Sequence, residues 1–315
     1  MNNSISSLAY YQDTISNNQQ LNAQLTALQT QASTGQQYPQ VSDNPTASLE
    51  ILANTDQSQI IGAHLSDIQT ASANLNTSVS ALQQVDTVIS QAQSLASEAS
   101  NATSNSQSLT AMGQQVNSMI STLVGLANTQ SGNTYVFGGA SSTQQEPFTI
   151  SSEDAQGNPT AVSYNGAANG SSTVIGPTQQ VEMDYPGSQV FGTSGSNVTN
   201  AFQTLINLRD TLLNSSGDSQ TALTSALAGS QTALQNVQSQ VQNVMGQQSA
   251  SLQSMTSLQT QLQSLQTSDN TNASTLGNAD VTTIVVQLQQ YEQQLQLSFE
   301  AFTQISSTSL LSFLH

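Results

Sequence analysis

Between residues 218 and 267 one pattern repeats with hardly an exception. Leu234, Val237, Val241, Val244, Leu252, Met255, Leu258, Leu262 and Leu265 recur at steps of three and four residues, with Gln248 the one polar position in the series. Apolar side chains at that spacing line one face of a helix and form the seam of a coiled coil. A helix across this stretch would extend roughly 75 Å at about 1.5 Å per residue. A single compact domain of this size would be narrower than that. The stripe therefore needs long partner helices, and the chain supplies them. Ile68, Leu75, Val79, Leu82, Val85, Ile89, Ala92 and Ala99 carry a second seam to about residue 103. It follows the start signal "SDNPTAS", in which Asn44 can cap and Pro45 takes the first helical position, where a missing amide is harmless. A further helix is expected over roughly 107–130, on Met112, Val116, Met119, Leu123 and Leu126, and another from about Asn197 to Leu213.

Between these helical flanks the character changes. Across 132–196 glycine and proline cluster among short β-branched or aromatic runs: "GNTYVFGG", "PFTI", "AVSYNG", "STVIGP", "QQVEMDYPG" and "QVFG". Such runs bounded by turn signals read as a small β-rich insertion, with the doublet Gly138–Gly139 as a hairpin turn. The expected fold class is mainly α with a β-rich insertion: an elongated antiparallel coiled-coil rod built from both chain ends, with a small β domain in the middle.

The two ends stand apart from the rest. Ile5, Leu8, Tyr11, Ile15, Leu21, Leu25, Leu28 and Ala32 form a broken stripe that stops at "STGQQYP", where Gly35 suits the left-handed position after a helix. At the other end Asp280 is a natural N-cap. The stripe it opens runs through Val281, Ile284, Leu288, Tyr291, Leu295, Phe302 and Ile305, with Phe299 beside the polar seam position Ser298. Breaks at "TGQQYPQVSDNP" and "SDNTNASTLGNAD" cut both segments off from the rest. Two such helices can pair, but a lone pair buries its apolar faces poorly. A subunit interface is therefore expected here, with Leu288, Tyr291, Leu295, Phe299, Phe302 and Ile305 facing Ile5, Leu8, Ile15, Leu21, Leu25 and Leu28, and Leu310 continuing the last helix. This divides the chain into terminal helices for polymerisation (1–40 with 278–315), a helical coiled coil (41–131 with 197–277) and a β hairpin with an outer β domain (132–196).

Charge excludes several functions. The 315 residues hold one Lys or Arg, which is Arg209, against 18 acidic residues, for a formal charge of −17. Nothing here can neutralise phosphates, so nucleic acid is not expected as a partner; an anionic membrane surface is disfavoured for the same reason. No stretch approaches the ~20 apolar residues that span a bilayer, and "MNNSISSLAYYQ" has neither the basic nor the apolar part of a cleaved signal peptide. With no cysteine there is no disulfide or thiolate chemistry. The only histidines, His64 and His315, are too few and too far apart for a zinc site. Catalytic and phosphate-binding motifs are absent, "EDAQGN" has the wrong spacing for a calcium loop, and Arg209 beside Asp210 reads as helix packing or a local ion pair. No enzyme activity, cofactor or metal is expected. Low charge is either drift in a Gln/Ser-rich surface or an adaptation to an acidic exterior, where carboxylates near pKa ~4 lose their charge.

Four stretches together resemble bacterial flagellar hook-associated protein 3, the hook–filament junction protein, and more widely the flagellin superfamily. "LTALQTQASTGQQYPQVSDNPTAS" is similar to the family's N-terminal helix, STG break and second helix start. "LANTQSGNTYVFGGASSTQQEPF" resembles its helix end, hairpin and entry to the outer domain. "VSYNG…VEMDYPGSQVFG" resembles the outer β domain, and "DVTTIVVQLQQYEQQLQLSFEAFTQISSTSLLSFL" the C-terminal helix. They occur in the right order over essentially the whole chain; the departures are in charge, where Gln, Asn and Thr stand at places usually basic. The resemblance implies a structural subunit that self-associates through its terminal helices in a helical polymer. By the same resemblance it is expected to sit between the first junction protein (hook-associated protein 1) and flagellin, to leave by the flagellar export apparatus without a cleaved signal, with an export chaperone as a further candidate partner, and to reside outside the cell on the flagellum. Filament flagellin itself and a secreted coiled-coil stalk or adhesin remain alternative readings at this point.

Overall fold

The computed structural model describes residues 2–101, 106–141, 145–174, 180–182, 184–193, 198–214 and 219–313; at 2–11, 101, 141, 173–174, 181 and 305–313 it describes the backbone alone. The chain is mainly α, with a β-rich insertion. Helices α1 (Asn2–Thr34), α2 (Pro45–Asn101) and α3 (Ser106–Ala127) precede strands β1 (Gln130–Ser131), β2 (Thr134–Tyr135), β3 (Phe148–Glu153), β4 (Pro159–Tyr164), β5 (Ser172–Val174) and β6 (Gln180–Glu182). Helices α4 (Gly187–Phe191), α5 (Ala201–Leu213), α6 (Gln220–Gly277) and α7 (Val281–Phe313) follow. The strands form three two-stranded antiparallel sheets, β1–β2, β3–β4 and β5–β6. Two compact units result, one from residues 1–61 with 264–315 and one from residues 62–263.

In the second unit α2 and α6 run antiparallel and bury the stripes that predicted them. Leu75, Leu82, Val85 and Ile89 on α2, and Leu234, Val237 and Val241 on α6, are at most 0% exposed, each such burial contributing about 1.5–3 kcal/mol. Polar residues set the register between them. Gln248, fully buried, donates to Ser78 Oγ at 2.9 Å, and Ser72 donates to Met255 Sδ at 3.4 Å. Further along, Gln238 donates to Ser90 Oγ and Asp86 Oδ1, at 3.1 and 3.2 Å. Val79, expected in the seam, is only half-buried; Ser78 takes its place, at heptad spacing between Leu75 and Leu82.

The insertion has its own core, an aromatic cluster. Phe148 lies 5.0–5.2 Å from Tyr164, Phe191 and Phe202, and Phe191 packs edge-on against Phe137 at 5.2 Å. Asn128, just past α3, docks β3 by imitating a strand: its side chain donates to the Phe148 carbonyl and accepts from the Phe148 amide. Arg209 on α5 is 1% exposed and ties α3, α5 and β4 together by donating to Asn117 Oδ1, the Pro159 carbonyl and Asp210 Oδ1. "EDAQGN" is a polar hairpin turn, in which Asp154 accepts from the amides of Gln156 and Asn158.

Three local expectations need correction. "QVFG" is not a strand but part of the short helix α4, because Val190 and Phe191 are both fully buried and an alternating strand would have turned one of them outward. The β1–β2 turn is not at Gly138–Gly139. It closes at Gly132 (φ 62°), while Gly139 (φ 60°) opens a short 3-10 turn in which a Cβ would stand 2.7 Å from the carbonyl oxygens of Ala167 and Asn169. Finally, α6 does not break after 267 but continues to Gly277. Helix-poor Asn, Ser and Thr are held there by tertiary bonds, with Ser58 Oγ on Asn270 Oδ1 at 2.8 Å and Gln266 on the Ser58 carbonyl at 3.1 Å.

Candidate functional site

The unit made from the chain ends holds the predicted interface residues. Helix α1 ends as "STG" implies: Gly35 has φ 68°, and its amide closes onto the Gln31 carbonyl at 2.8 Å. A single antiparallel bridge, Gln36 with Asn278, then aligns the returning chain. Asp280 caps α7, accepting from the amides of Thr282 and Thr283 and, at 2.6 Å, from the Thr283 hydroxyl. The hydroxyl bond above all holds this carboxyl below the usual carboxylate range. In the same unit Asn44 caps α2, its Oδ1 accepting from the Ala47 amide at 3.1 Å.

Helices α1 and α7 pair antiparallel. The Gly35 carbonyl accepts from the Ala279 amide at one end, and Ser298 donates to Asn18 Oδ1 at 2.6 Å further along. That register brings Leu28 level with Leu288, Leu25 with Tyr291 and Leu21 with Leu295. Leu25 and Ile284 are buried, whereas Leu21, Leu28, Leu288, Tyr291, Leu295 and Phe302 are only half-buried. Two residues expected at this seam point away from it: Ile15 is 49% exposed and Phe299 50%. Phe299 falls between Ser298 and Phe302, about 100° from the first and 60° from the second, and Ile15 lies about 60° from Asn18, at 100° per residue. The side chains of Ile5, Leu8, Ile305 and Leu310 lie outside the described residues.

What the periodicity did not show is how much apolar surface this unit leaves open. Twelve large hydrophobic residues are exposed among the described ones, and eleven belong here: Ile15, Val41, Leu49, Leu52, Ile60, Leu265, Val281, Val285, Val286, Leu297 and Phe299. Only Ile150 belongs to the other unit. Large contiguous apolar patches are rare on soluble monomers, so the concentration of such residues on one unit makes it the candidate interaction surface. Part of it is a groove of about 510 Å³ lined by Tyr38, Val41, Leu49, Ile51, Leu52 and Gly277 among others, with no charged residue along it. A signal was present in "VTTIVVQLQQ": apolar residues at 281, 284, 285, 286 and 288 cover far more of a helix than one stripe needs.

Among the described residues, no three metal-ligating side chains cluster as they would around an ion, and no helix is long and apolar enough to cross a membrane.

No family model matches the sequence, and no curated protein matches it. Solved structures do. FlgL from Xanthomonas campestris superposes with a TM-score of 0.56 at 16% identity, over 67% of this chain and 98% of that one. The flagellar junction protein FlgL from Legionella pneumophila gives 0.56 at 12%, over 73% and 100%. Bacillus cereus FlgL gives 0.52 at 19%, over 71% and 99%. The chain thus has the fold of the flagellar junction protein FlgL, reached with very little of its sequence.

Proposed function

We propose that this protein is a structural subunit of the bacterial flagellum, the adaptor that joins hook to filament and offers flagellin a surface on which to polymerise. The observation that carries the reading is that eleven of the twelve exposed large hydrophobic residues among the described ones lie in the unit of the chain ends, in a chain with the FlgL fold. Paired in a lone molecule, α1 and α7 leave Phe299, Val285 and Leu297 in water; neighbouring subunits in a helical polymer bury them. The interface residues are the ones named from the sequence: Ile5, Leu8, Ile15, Leu21, Leu25 and Leu28 on α1, with Leu288, Tyr291, Leu295, Phe299, Phe302, Ile305 and Leu310 on α7. Ile15 and Phe299 serve neighbours rather than the α1–α7 seam. The role is structural rather than catalytic. Its partners are further copies of itself, hook-associated protein 1 on the hook side and flagellin on the filament side. It reaches its place outside the cell through the flagellar export apparatus.

Deleting the gene tests this. The expected phenotype is cells that assemble hooks, carry no filament and release flagellin into the medium, with the filament restored by the wild-type gene. Full-length filaments on the deletion strain would refute the adaptor role.

A further inference from the structure

The unit of the chain ends carries carboxylates and no lysine or arginine to offset them. Asp13, Asp43, Glu50, Asp56, Asp269, Asp280, Glu292 and Glu300 all belong to it, and it has no lysine or arginine. The chain's one Lys or Arg, Arg209, is buried in the other unit, and His315 is the only side chain of this unit that can become positive. The charge lies beside the exposed apolar surface. On α7, Leu295 and Phe299 line a shallow surface cavity of about 450 Å³ together with Glu292 and Glu300. Both carboxylates are exposed; Glu300 accepts a 3.3 Å bond from Gln296, and among the described residues no cation stands beside either. Helix α1, the element packed against α7, adds Asp13 and no cation, and the turn before α7 adds Asp280.

Two copies that meet through this surface bring like charges within one another's screening distance, about 10 Å at 0.1 M salt. Neither copy has a lysine or arginine in this unit with which to answer. We propose that self-association through this face is controlled by charge neutralisation: copies close when the carboxylates bind protons or when salt screens them, and stay apart at neutral pH and low ionic strength. This rests on the reading of the unit as the assembly surface. The sign follows from linkage. A carboxylate pressed against another holds its proton more tightly. The associated state therefore binds more protons than separate copies do, and association strengthens as pH falls through about 4–5. The apolar contacts are unaltered by pH and supply the attraction.

Sedimentation velocity of the full chain tests the proposal at pH 7 with about 20 mM salt, at pH 7 with about 0.5 M sodium chloride, and at pH 4.5 with about 20 mM salt. Far-UV circular dichroism checks the fold in each. Acid and salt are each expected to lower the concentration for half-association about tenfold or more. Glu292→Gln/Glu300→Gln should move the pH 7, low-salt behaviour toward that of the wild type in acid. Phe299→Ser, which removes an exposed ring, should lose the acid- and salt-driven association. If Phe299→Ser associates in acid as the wild type does, the effect is isoelectric precipitation and the proposal is wrong. Association of equal strength in all three buffers would overturn it while leaving the assembly reading intact. No association in any buffer would overturn the assembly reading itself.

Discussion

Arg209 offers the most decisive test of the fold, because the only cation among the chain's Lys and Arg positions is spent inside the protein. Its Nη1 donates to the Pro159 carbonyl at 2.6 Å and to Asn117 Oδ1 at 3.1 Å, while Nε and Nη2 reach Asp210 Oδ1 at 2.8 and 2.7 Å. Replacing it with methionine keeps most of the buried aliphatic volume and removes every donor. Pro159 is buried, so its carbonyl loses a charged donor and gains no water; each such loss costs about 1–3 kcal/mol, and Asn117 loses a second bond of the same kind. The Asp210 side chain is 46% exposed, so solvent screens that pair and its loss adds a few tenths of a kcal/mol. Arg209→Met should therefore destabilise the unit holding α3, α5 and the β3–β4 hairpin by roughly 2–4 kcal/mol. In urea this moves the unfolding midpoint down by about 1–2 M, for a slope near 2 kcal/mol per molar. Hydrogen exchange should show the earliest loss of protection in β4. A variant as stable as the wild type would refute the reasoning, since it would mean that stripping water from the guanidinium offsets all its bonds.

Other expectations are simpler to state. Phe148→Ala, which empties the centre of the aromatic cluster, should cost about 3–5 kcal/mol in a thermal or urea melt. Gly187→Ala should also disturb that cluster, because a Cβ would lie 2.5 Å from the Phe148 ring; loss of near-ultraviolet dichroism with helical content retained is the expected signature. Asp184, buried without a cation and bonded to Ser171, has its carboxyl pushed above the usual range by burial, so its contribution is full in acid and falls as pH rises through that raised value. Asp184→Asn should accordingly melt no lower than the wild type at pH 7, with the gap closing in acid. Asp280 behaves oppositely. Its lowered carboxyl contributes above the ordinary carboxylate pKa and is lost as pH falls through the depressed value, so hydrogen exchange in the first turn of α7 should quicken in strong acid, and Asp280→Ala should quicken it at pH 7. Phe302→Asp should keep the helices yet fail to enter flagella; normal incorporation would show that the α7 seam is not an interface.

The long helices were legible because their information is periodic. The strict spacing through Leu234, Val237 and Val241 survives any detail of packing, and Gln248 stood out as the break in it. Its partner Ser78 did not, because a serine among serines carries no signal until the opposing helix puts an amide in front of it. The caps at Asn44 and Asp280 and the left-handed Gly35 were equally readable, since each depends only on neighbours in sequence. Non-local bonds caused the misses. Nothing within "SDNTNASTLG" says that Ser58 will hold it helical, and nothing in "SQVF" says that the Phe148 ring waits beside it. The pairing of α1 with α7 was half legible: periodicity identified the seam, while the outward positions of Ile15 and Phe299 follow only once the register of α1 against α7 is known.

The central claim, a junction subunit, is tested most directly by position. Immunogold electron microscopy of intact flagella, with antibody raised against residues 145–195, should give one cluster of label where each hook meets its filament. Label along the whole filament would make the chain a flagellin. Flagella without label would contradict the account altogether.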